Sequence, residues 1–444
     1  MKPLPDTRDY GYPRLELPLY DRLSALGLES SMEFDLSQAS LEWRDRLQAF
    51  FDKEVLPRHR DWSREVSASG MASFMPELQR KARAAGLWNL ALPELAEDEP
   101  GTRLSNLDYA PCAEIMGRLF WAPEVFNCQA PDVPNMIALQ NCANDEQKRR
   151  WLRPLLEGQT RSAFGMTEPD VASSDATNIA TTIIRQGGDY VIRGRKWFIT
   201  GAAHPQCSFL IVMGVSHPEA SRTSRHSCVI VPMDAKGVRL VRPLRWMGCM
   251  DHVAPIGEID FDGVRVPVEN LLGKEGEGFR VAQVRLGPAR VHHCMRSIGL
   301  CEVLIELMLV RASERTAFGR AIVEYDTVQR WIAESRVELE QARLLTYRCA
   351  WLLDRAGHQG AWRDVSLIKV SVPAMLQRIA DRAMQVFGAM GGSDDTPIHQ
   401  ALAWGRLLRI GDGPDEVHLR QIFKMETPPQ WTIANSPYLL PRPA

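Results

Sequence analysis

A double change of hydrophobic period limits what this chain can fold into. From about Gln38, apolar residues recur at helical spacing: Trp43, Leu47 and Phe50, with Val55 and Leu56 continuing the apolar content. Further helices are expected over 75–84 and 110–119. Asp145 and Glu146 precede Trp151, Leu155 and Leu156, which predicts a short helix ended by Gly158. Near Thr160 the texture changes. Candidate strands, separated by Gly, Asp or Pro, cover 178–184, 190–192, 198–200, 209–213, 228–231, 257–261 and 264–266. A parallel sheet would need intervening helices, and this region has no room for them. After Gly278 the period returns to 3.6, with helices expected over 279–313, 326–355, 364–387 and 416–423.

A chain of 444 residues is long for one core, and these changes divide it into helical, β and helical parts. The expected boundaries are an N-terminal arm over 1–37, a helical domain over 38–159, a β-domain over 160–272, a helical bundle over 273–427 and a tail over 428–444. The formal net charge is -2 and no basic stripe runs along the sequence, which argues against a nucleic-acid partner. Nine cysteines, an odd number without a C-x-x-C pair, fit reduced thiols better than a disulfide scaffold. The first residues have no apolar h-region, and no apolar run reaches membrane-span length. The expectation is a cytoplasmic enzyme without a transmembrane segment. No metal site is expected, since the histidines show no H-E-x-x-H or H-x-x-E-H spacing.

Several motifs arrive in a fixed order. Ala163-Phe164-Gly165-Met166-Thr167-Glu168-Pro169 is followed by Ser173-Ser174-Asp175, then by Gly194-Arg195-Lys196-Trp197-Phe198-Ile199-Thr200. Arg315-Thr316-Ala317-Phe318-Gly319-Arg320 lies early in the second helical region. Gln385-Val386-Phe387-Gly388-Ala389-Met390-Gly391, Pro397 and Gly411-Asp412-Gly413-Pro414-Asp415-Glu416 close the series. Taken alone, Gly-Asp-Gly-Pro-Asp is a turn sequence. Its glycines would also let backbone approach a ligand closely.

Together these motifs, over about residues 40–425, resemble the acyl-CoA dehydrogenase family. Three features look like its branch with an aspartate base: Asn127-Cys128-Gln129-Ala130-Pro131, Arg285-Leu286-Gly287-Pro288-Ala289-Arg290 running into His292-His293, and Asp412-Gly413-Pro414-Asp415-Glu416-Val417-His418. The resemblance implies an α+β protein with an N-terminal helical domain, a middle β-barrel-like domain and a C-terminal four-helix bundle. It also implies FAD at a dimer interface, in a homodimer or homotetramer, and often an electron-transfer flavoprotein as electron acceptor. The reaction it implies converts an acyl-CoA thioester to a 2,3-enoyl-CoA. A base takes the α-proton, hydrogen bonds polarise the thioester carbonyl, and hydride leaves the β-carbon.

By the same resemblance Asp412 is the catalytic base. Aspartate is one methylene shorter than the family's glutamate, so the substrate or backbone must sit about 1 Å nearer. Some members carry the base in the first long helix of the C-terminal region; Ala289 occupies that position here and cannot act as one. Phe164, Met166, Thr167 and Ser173 are implied FAD contacts, with Ser173 also a candidate for the CoA portion. Phe198 stands where many relatives place tryptophan against the flavin, and Thr200 where a side chain reaches the flavin N5 region. Strand alternation predicts that these two side chains share a face and Trp197 the other. Arg315 and Phe318 match residues reaching the FAD pyrophosphate from a partner subunit, and Gln385, Gly388 and Gly391 the remaining adenosine-diphosphate contacts. Arg290 and Gly413 are implied at the substrate. His292 and His293 are left open between wall residues and acid–base groups. Ala389 departs from a common glycine, and Ala403-Trp404 from a common Arg-Asp, so any ion pair of those two is lost. An acyl-CoA oxidase, a non-catalytic acyl-CoA-binding flavoprotein and a nonacyl substrate such as a nitroalkane are the alternatives.

Overall fold

The computed structural model describes residues 36–426. The expected tail, and the expected arm apart from its last two residues, therefore lie outside the described residues. Helix α1 (Gln38–Phe50) begins where the Ser37 hydroxyl accepts the Ser40 N–H at 3.0 Å. It is followed by α2 (His59–Ser69), α3 (Met75–Ala84), α4 (Asn106–Gly117) and α5 (Asp132–Cys142). The sequence reading over 110–119 starts four residues late. The true start is set by Ser105, whose side chain accepts the Asp108 N–H and caps α4.

The middle region is an eight-stranded sheet, with strands β1 (Arg161–Gly165), β2 (Thr182–Gln186), β3 (Asp189–Ile199), β4 (Cys207–Val215), β5 (His226–Pro232), β6 (Val238–Leu244), β7 (Ile256–Pro267) and β8 (Leu271–Leu272). Their order is β6-β7-β3-β2-β4-β5-β8, and β1 runs parallel to β4. Residues 190–192 and 198–200, expected as two strands, fall on one strand that ends at Ile199, and 257–261 and 264–266 are likewise one strand. The glycines behind the split reading, Gly194 and Gly263, lie inside long paired strands. At Gly194 an added Cβ would meet the Thr181 hydroxyl at 2.5 Å, so the glycine marks close strand approach and not a turn. Strand β4 explains the continuous apolar run at 209–213. Phe209, Ile211 and Met213 pack with the helices, while Leu210 and Val212 face the sheet interior with Val229, Val231, Ile259 and Phe261.

The C-terminal part is helical again. Helix α6 (Gly278–Glu314) leads through a small hairpin, β9 (Thr316–Ala317) and β10 (Arg320–Ala321), into α7 (Asp326–Phe387). Gly357, at φ 64° and ψ −172°, breaks α7 into the two helices expected from sequence. Helix α8 (Ile398–Leu408) had no sequence counterpart, and α9 (Asp415–Glu426) contains the expected 416–423. One apolar core runs through both helical parts and joins them. Helix α6 passes α4 in backbone contact. A Cβ on Gly299 would lie 1.8 Å from the Glu114 carbonyl oxygen, and one on Gly117 2.1 Å from the Arg296 oxygen. These two glycines set how deeply α6 seats and therefore where its buried polar face points. Gly299→Ala should destabilise the protein by roughly 1–3 kcal/mol through overpacking, read as a lower urea midpoint at unchanged slope.

Candidate active site

The loop between α8 and α9 holds Asp412 at φ 56° and Gly413 at φ 101°. Aspartate tolerates the left-handed region better than most residues. At Gly413 no side chain fits, since a Cβ would meet His418 Nε2 at 2.9 Å. The loop's carbonyls are pinned one after another. Lys369 Nζ donates to the Leu408 oxygen and, at 3.3 Å, to that of Gly413. Arg290 Nε donates to the Asp412 oxygen at 2.8 Å, and His418 Nε2 lies 3.4 Å from the same atom. Arg409 closes the loop by pairing with Asp415 at 2.7 Å. The Asp412 N–H meets no acceptor among the described residues.

The Asp412 carboxyl is mostly buried against α6. Burial opposes its charge, but His293 when protonated, then Arg285, Lys369 and Arg290, outweigh burial and hold it below the usual carboxylate range. His293 Nε2 lies 3.6 Å from Asp412 Oδ2. Burial lowers the Arg285, Arg290 and Lys369 acidities' midpoints, yet nearby Asp412 favours their charged forms. Arg285 is fixed by a 2.8 Å bond to Asn135 Oδ1 and lies 4.7 Å from the Phe164 ring centroid. Ala289 is buried on the same helix, and its methyl offers no second base.

Phe198 departs from strand alternation. The β3–β7 register shifts between Lys196 and Ile199, and Phe198 takes φ 50°. This bulge turns its ring outward, 39% exposed, with Trp197 5.0 Å away edge-on. Thr200 lies past the strand end, so the expected shared strand face does not exist. The Thr167 loop still abuts the bulge through a 3.0 Å bond from the Trp197 N–H to the Thr167 oxygen. The side-chain hydroxyls of Thr167 and Thr200 have no partner among the described residues. Ser173 is already engaged: its Oγ accepts the Glu168 N–H at 2.9 Å and stabilises the loop from within. An exposed aromatic face flanked by two available hydroxyls suits a flat ring with a polar edge, as a flavin has.

Arg315, Phe318, Gln385, Gly388 and Gly391 lie elsewhere. Arg315 and Phe318 follow the far end of α6, and Phe318 is 99% exposed. Gln385 ends α7 and leads into the Gly388–Gly392 turn, where Gly388 has φ 65° and Gly391 is buried against Met384. Arg311 lies over the Phe387 ring, which ties the two groups together. Arg315 is 25 residues beyond Arg290, which amounts to roughly 37 Å of helix. One chain therefore does not bring its own Arg315 to its own Asp412.

Sequence reasoning missed several residues that shape the site. Lys196 is fully buried, bonding Glu168 Oε1 at 2.8 Å, the Met166 oxygen at 2.9 Å and the Met213 oxygen at 2.7 Å. Glu168 also accepts the Ala180 and Thr181 N–H groups at 2.8 and 2.9 Å. This pair holds the 166–168 loop on the sheet. Lys369 stood in the sequence as a lone charge in the apolar run Leu367-Ile368-Lys369-Val370, which was a readable signal. Arg285 was readable as part of the Arg285–Arg290 motif, whereas Arg296 carried no signal beyond its helical spacing. Trp404, seen only as a missing aspartate, sits edge-on 5.6 Å from His293, and Trp246 Nε1 donates to the Ala403 oxygen at 2.7 Å. Trp404 thus makes an aromatic contact, and Ala403 accepts a hydrogen bond from the Trp246 indole. Lys196→Met should cost about 3–5 kcal/mol, because it leaves the Glu168 carboxylate buried and unpaired; thermal unfolding at neutral pH would show it.

Comparisons with known proteins cover the same span. Residues 37–159, 163–264 and 276–426 match the acyl-CoA dehydrogenase N-terminal, middle and C-terminal domains. FadE2 of Mycobacterium tuberculosis, named as an acyl-CoA dehydrogenase, is 48% identical over 401 residues, covering 89% of this chain and 97% of that one. Mouse acyl-CoA dehydrogenase family member 10 is 46% identical over 396 residues, 88% of this chain but 37% of that protein, so the chain spans little more than a third of it. A solved protein from Mycobacterium abscessus that carries the acyl-CoA dehydrogenase assignment superposes with a TM-score of 0.85 at 46% identity, covering 88% of this chain and 99% of that one.

Proposed function

Given that this chain belongs to the acyl-CoA dehydrogenase family, we propose that it oxidises an acyl-CoA to a 2,3-enoyl-CoA with Asp412 as the base. The observation that carries the assignment is the pinned loop. It presents a carboxylate and an unpaired backbone N–H side by side, inside a ring of buried cations. FAD is the cofactor, and proteins of this fold are solved with FAD bound. When bound, it supplies the acceptor for hydride from the substrate β-carbon.

The chain's own residues do the rest. Asp412 takes the α-proton, and its N–H donates to the thioester oxygen as negative charge builds there. Arg290 and Lys369 keep that N–H and carboxylate in a fixed relation by holding the loop's carbonyls, which is where misplacement would be costly. Gly413 leaves room for the thioester to approach. Phe198 would offer a flat face to the cofactor's ring and the Thr167 and Thr200 hydroxyls would meet its polar edge, with Phe164 and Met166 alongside. The Lys196–Glu168 pair keeps Met166 and Thr167 in place.

The remote group of Arg315, Phe318, Gln385, Gly388 and Gly391 would grip the cofactor's pyrophosphate and adenosine end from a second copy of the chain, so the working unit is at least a homodimer. An electron-transfer flavoprotein is the proposed acceptor. Among the described residues no helix is long and apolar enough to cross a membrane.

Anaerobic titration of the purified protein with a panel of acyl-CoA thioesters, following the oxidised flavin band, tests the assignment. Asp412→Asn should bind the best substrate within a few-fold of wild type and reduce its flavin roughly 10²–10⁴-fold more slowly, because an amide cannot take the proton. Near-normal reduction by that variant would remove Asp412 from the role. Rapid stoichiometric peroxide from the substrate-reduced enzyme would instead favour the oxidase reading.

A further inference from the structure

His293 is a buried imidazole whose every ring contact is specified. Arg296 donates to its Nδ1 at 3.1 Å. Arginine has donors and no acceptor, so Nδ1 must be the unprotonated nitrogen, and the neutral ring carries its proton on Nε2. That nitrogen is the one 3.6 Å from Asp412 Oδ2. Trp404 meets the ring edge-on and restricts its tilt. Arg296 is itself anchored across the domain boundary by a 2.9 Å bond to the Cys128 oxygen. Burial, then Arg296, hold the imidazole down at about 3, so it stays neutral beside the carboxylate; Lys369 and Arg285 add to this and Asp412 opposes it.

We propose that His293 is a positioning residue for Asp412: Arg296 fixes its tautomer and Trp404 its ring plane, so that Nε2–H faces one carboxylate oxygen and leaves the other for the substrate α-proton. The role rests on Asp412 being the base. A neutral donor suits it better than a cation, since it orients the carboxylate without capturing its charge. The 3.6 Å separation is longer than a formed hydrogen bond, and a small rotation of Asp412 closes it when substrate enters. The sequence Cys128–Arg296–His293–Asp412 links the N-terminal helical domain to the base loop.

The test compares the FAD-loaded wild type with His293→Phe, His293→Gln, Arg296→Leu and the His293→Phe/Arg296→Leu double variant. The rate constant of anaerobic flavin reduction is followed against pH, together with substrate Kd and thermal unfolding. Losing a donor to the carboxylate raises the pH needed to ionise it. His293→Phe and Arg296→Leu should therefore each move the acid limb up by about one pH unit. Each should slow reduction more than it weakens binding. The double variant should move the limb no further than either single change, because both remove one interaction. His293→Gln, which keeps an N–H donor, should restore most of the wild-type limb. Limbs unmoved in both single variants, or shifts that add in the double, would overturn the proposal. Should His293→Phe not fold, an Arg296→Leu enzyme with the wild-type limb overturns it alone. Loss of reduction in Asp412→Asn alongside unmoved limbs sinks only the positioning role, whereas retained reduction in Asp412→Asn sinks the base assignment itself.

Discussion

Everything at the site depends on two buried cations holding the carbonyls of one left-handed turn. Arg290 and Lys369 reach the loop from α6 and α7, and between them take the carbonyl oxygens of Leu408, Asp412 and Gly413. Buried charges are expensive unless they are paired and hydrogen-bonded. Here the same contacts that satisfy the cations define the backbone on which Asp412 stands. The seating of α6 against α4, fixed by Gly117 and Gly299, is therefore a condition of the proposed chemistry as well as of packing.

The architecture was legible because it rests on period. Helical spacing around Leu47 and Phe50, short apolar runs around Phe209 and Val231, and helical spacing again after Gly278 each produced the expected class of element. Errors cluster where one residue type has two meanings. Gly194 and Gly263 signal turns in a window of sequence, yet Gly194 within β3 permits close strand approach, and Gly263 within β7 takes φ 63° in a bulge across which pairing resumes. Helix α8 escaped because Ile398–Leu408 is short and follows a glycine-rich turn, where periodicity has little length in which to show.

The sequence named candidate residues around the Asp412 loop and showed much less of what supports them. Asp412 stood out for its flanking glycines and its place in the motif order. What surrounds it came from side chains far apart in sequence. Arg285, Arg296, Lys369 and Trp404 meet there only because α6, α7 and α8 pack as they do. A long-range hydrogen bond such as Lys369 to Gly413 leaves no local trace beyond a lysine in an apolar run. Phe198 shows the opposite failure. The resemblance put it against the flavin, but the period-two rule gave it the wrong relation to Thr200, since a bulge adds a residue that alternation cannot count.

The cation ring raises an apparent conflict: groups that lower the affinity of Asp412 for a proton should weaken it as a base. The conflict dissolves when the charge is followed through the step. In the proposed step, the negative charge that leaves the carboxylate would reappear on the thioester oxygen, polarised by the N–H of the same residue. Both atoms lie within the field of Arg285, Arg290 and Lys369, so stabilisation lost at the carboxylate is regained a few ångströms away. What the cations favour is a site carrying one negative charge, with little preference for where within it the charge sits. A water-filled cleft would need solvent to reorganise around each location, whereas dipoles and charges fixed by packing need not. The excess of buried positive charge over the single carboxylate then acts as preorganisation for the transition state and not as a trap for the ground state.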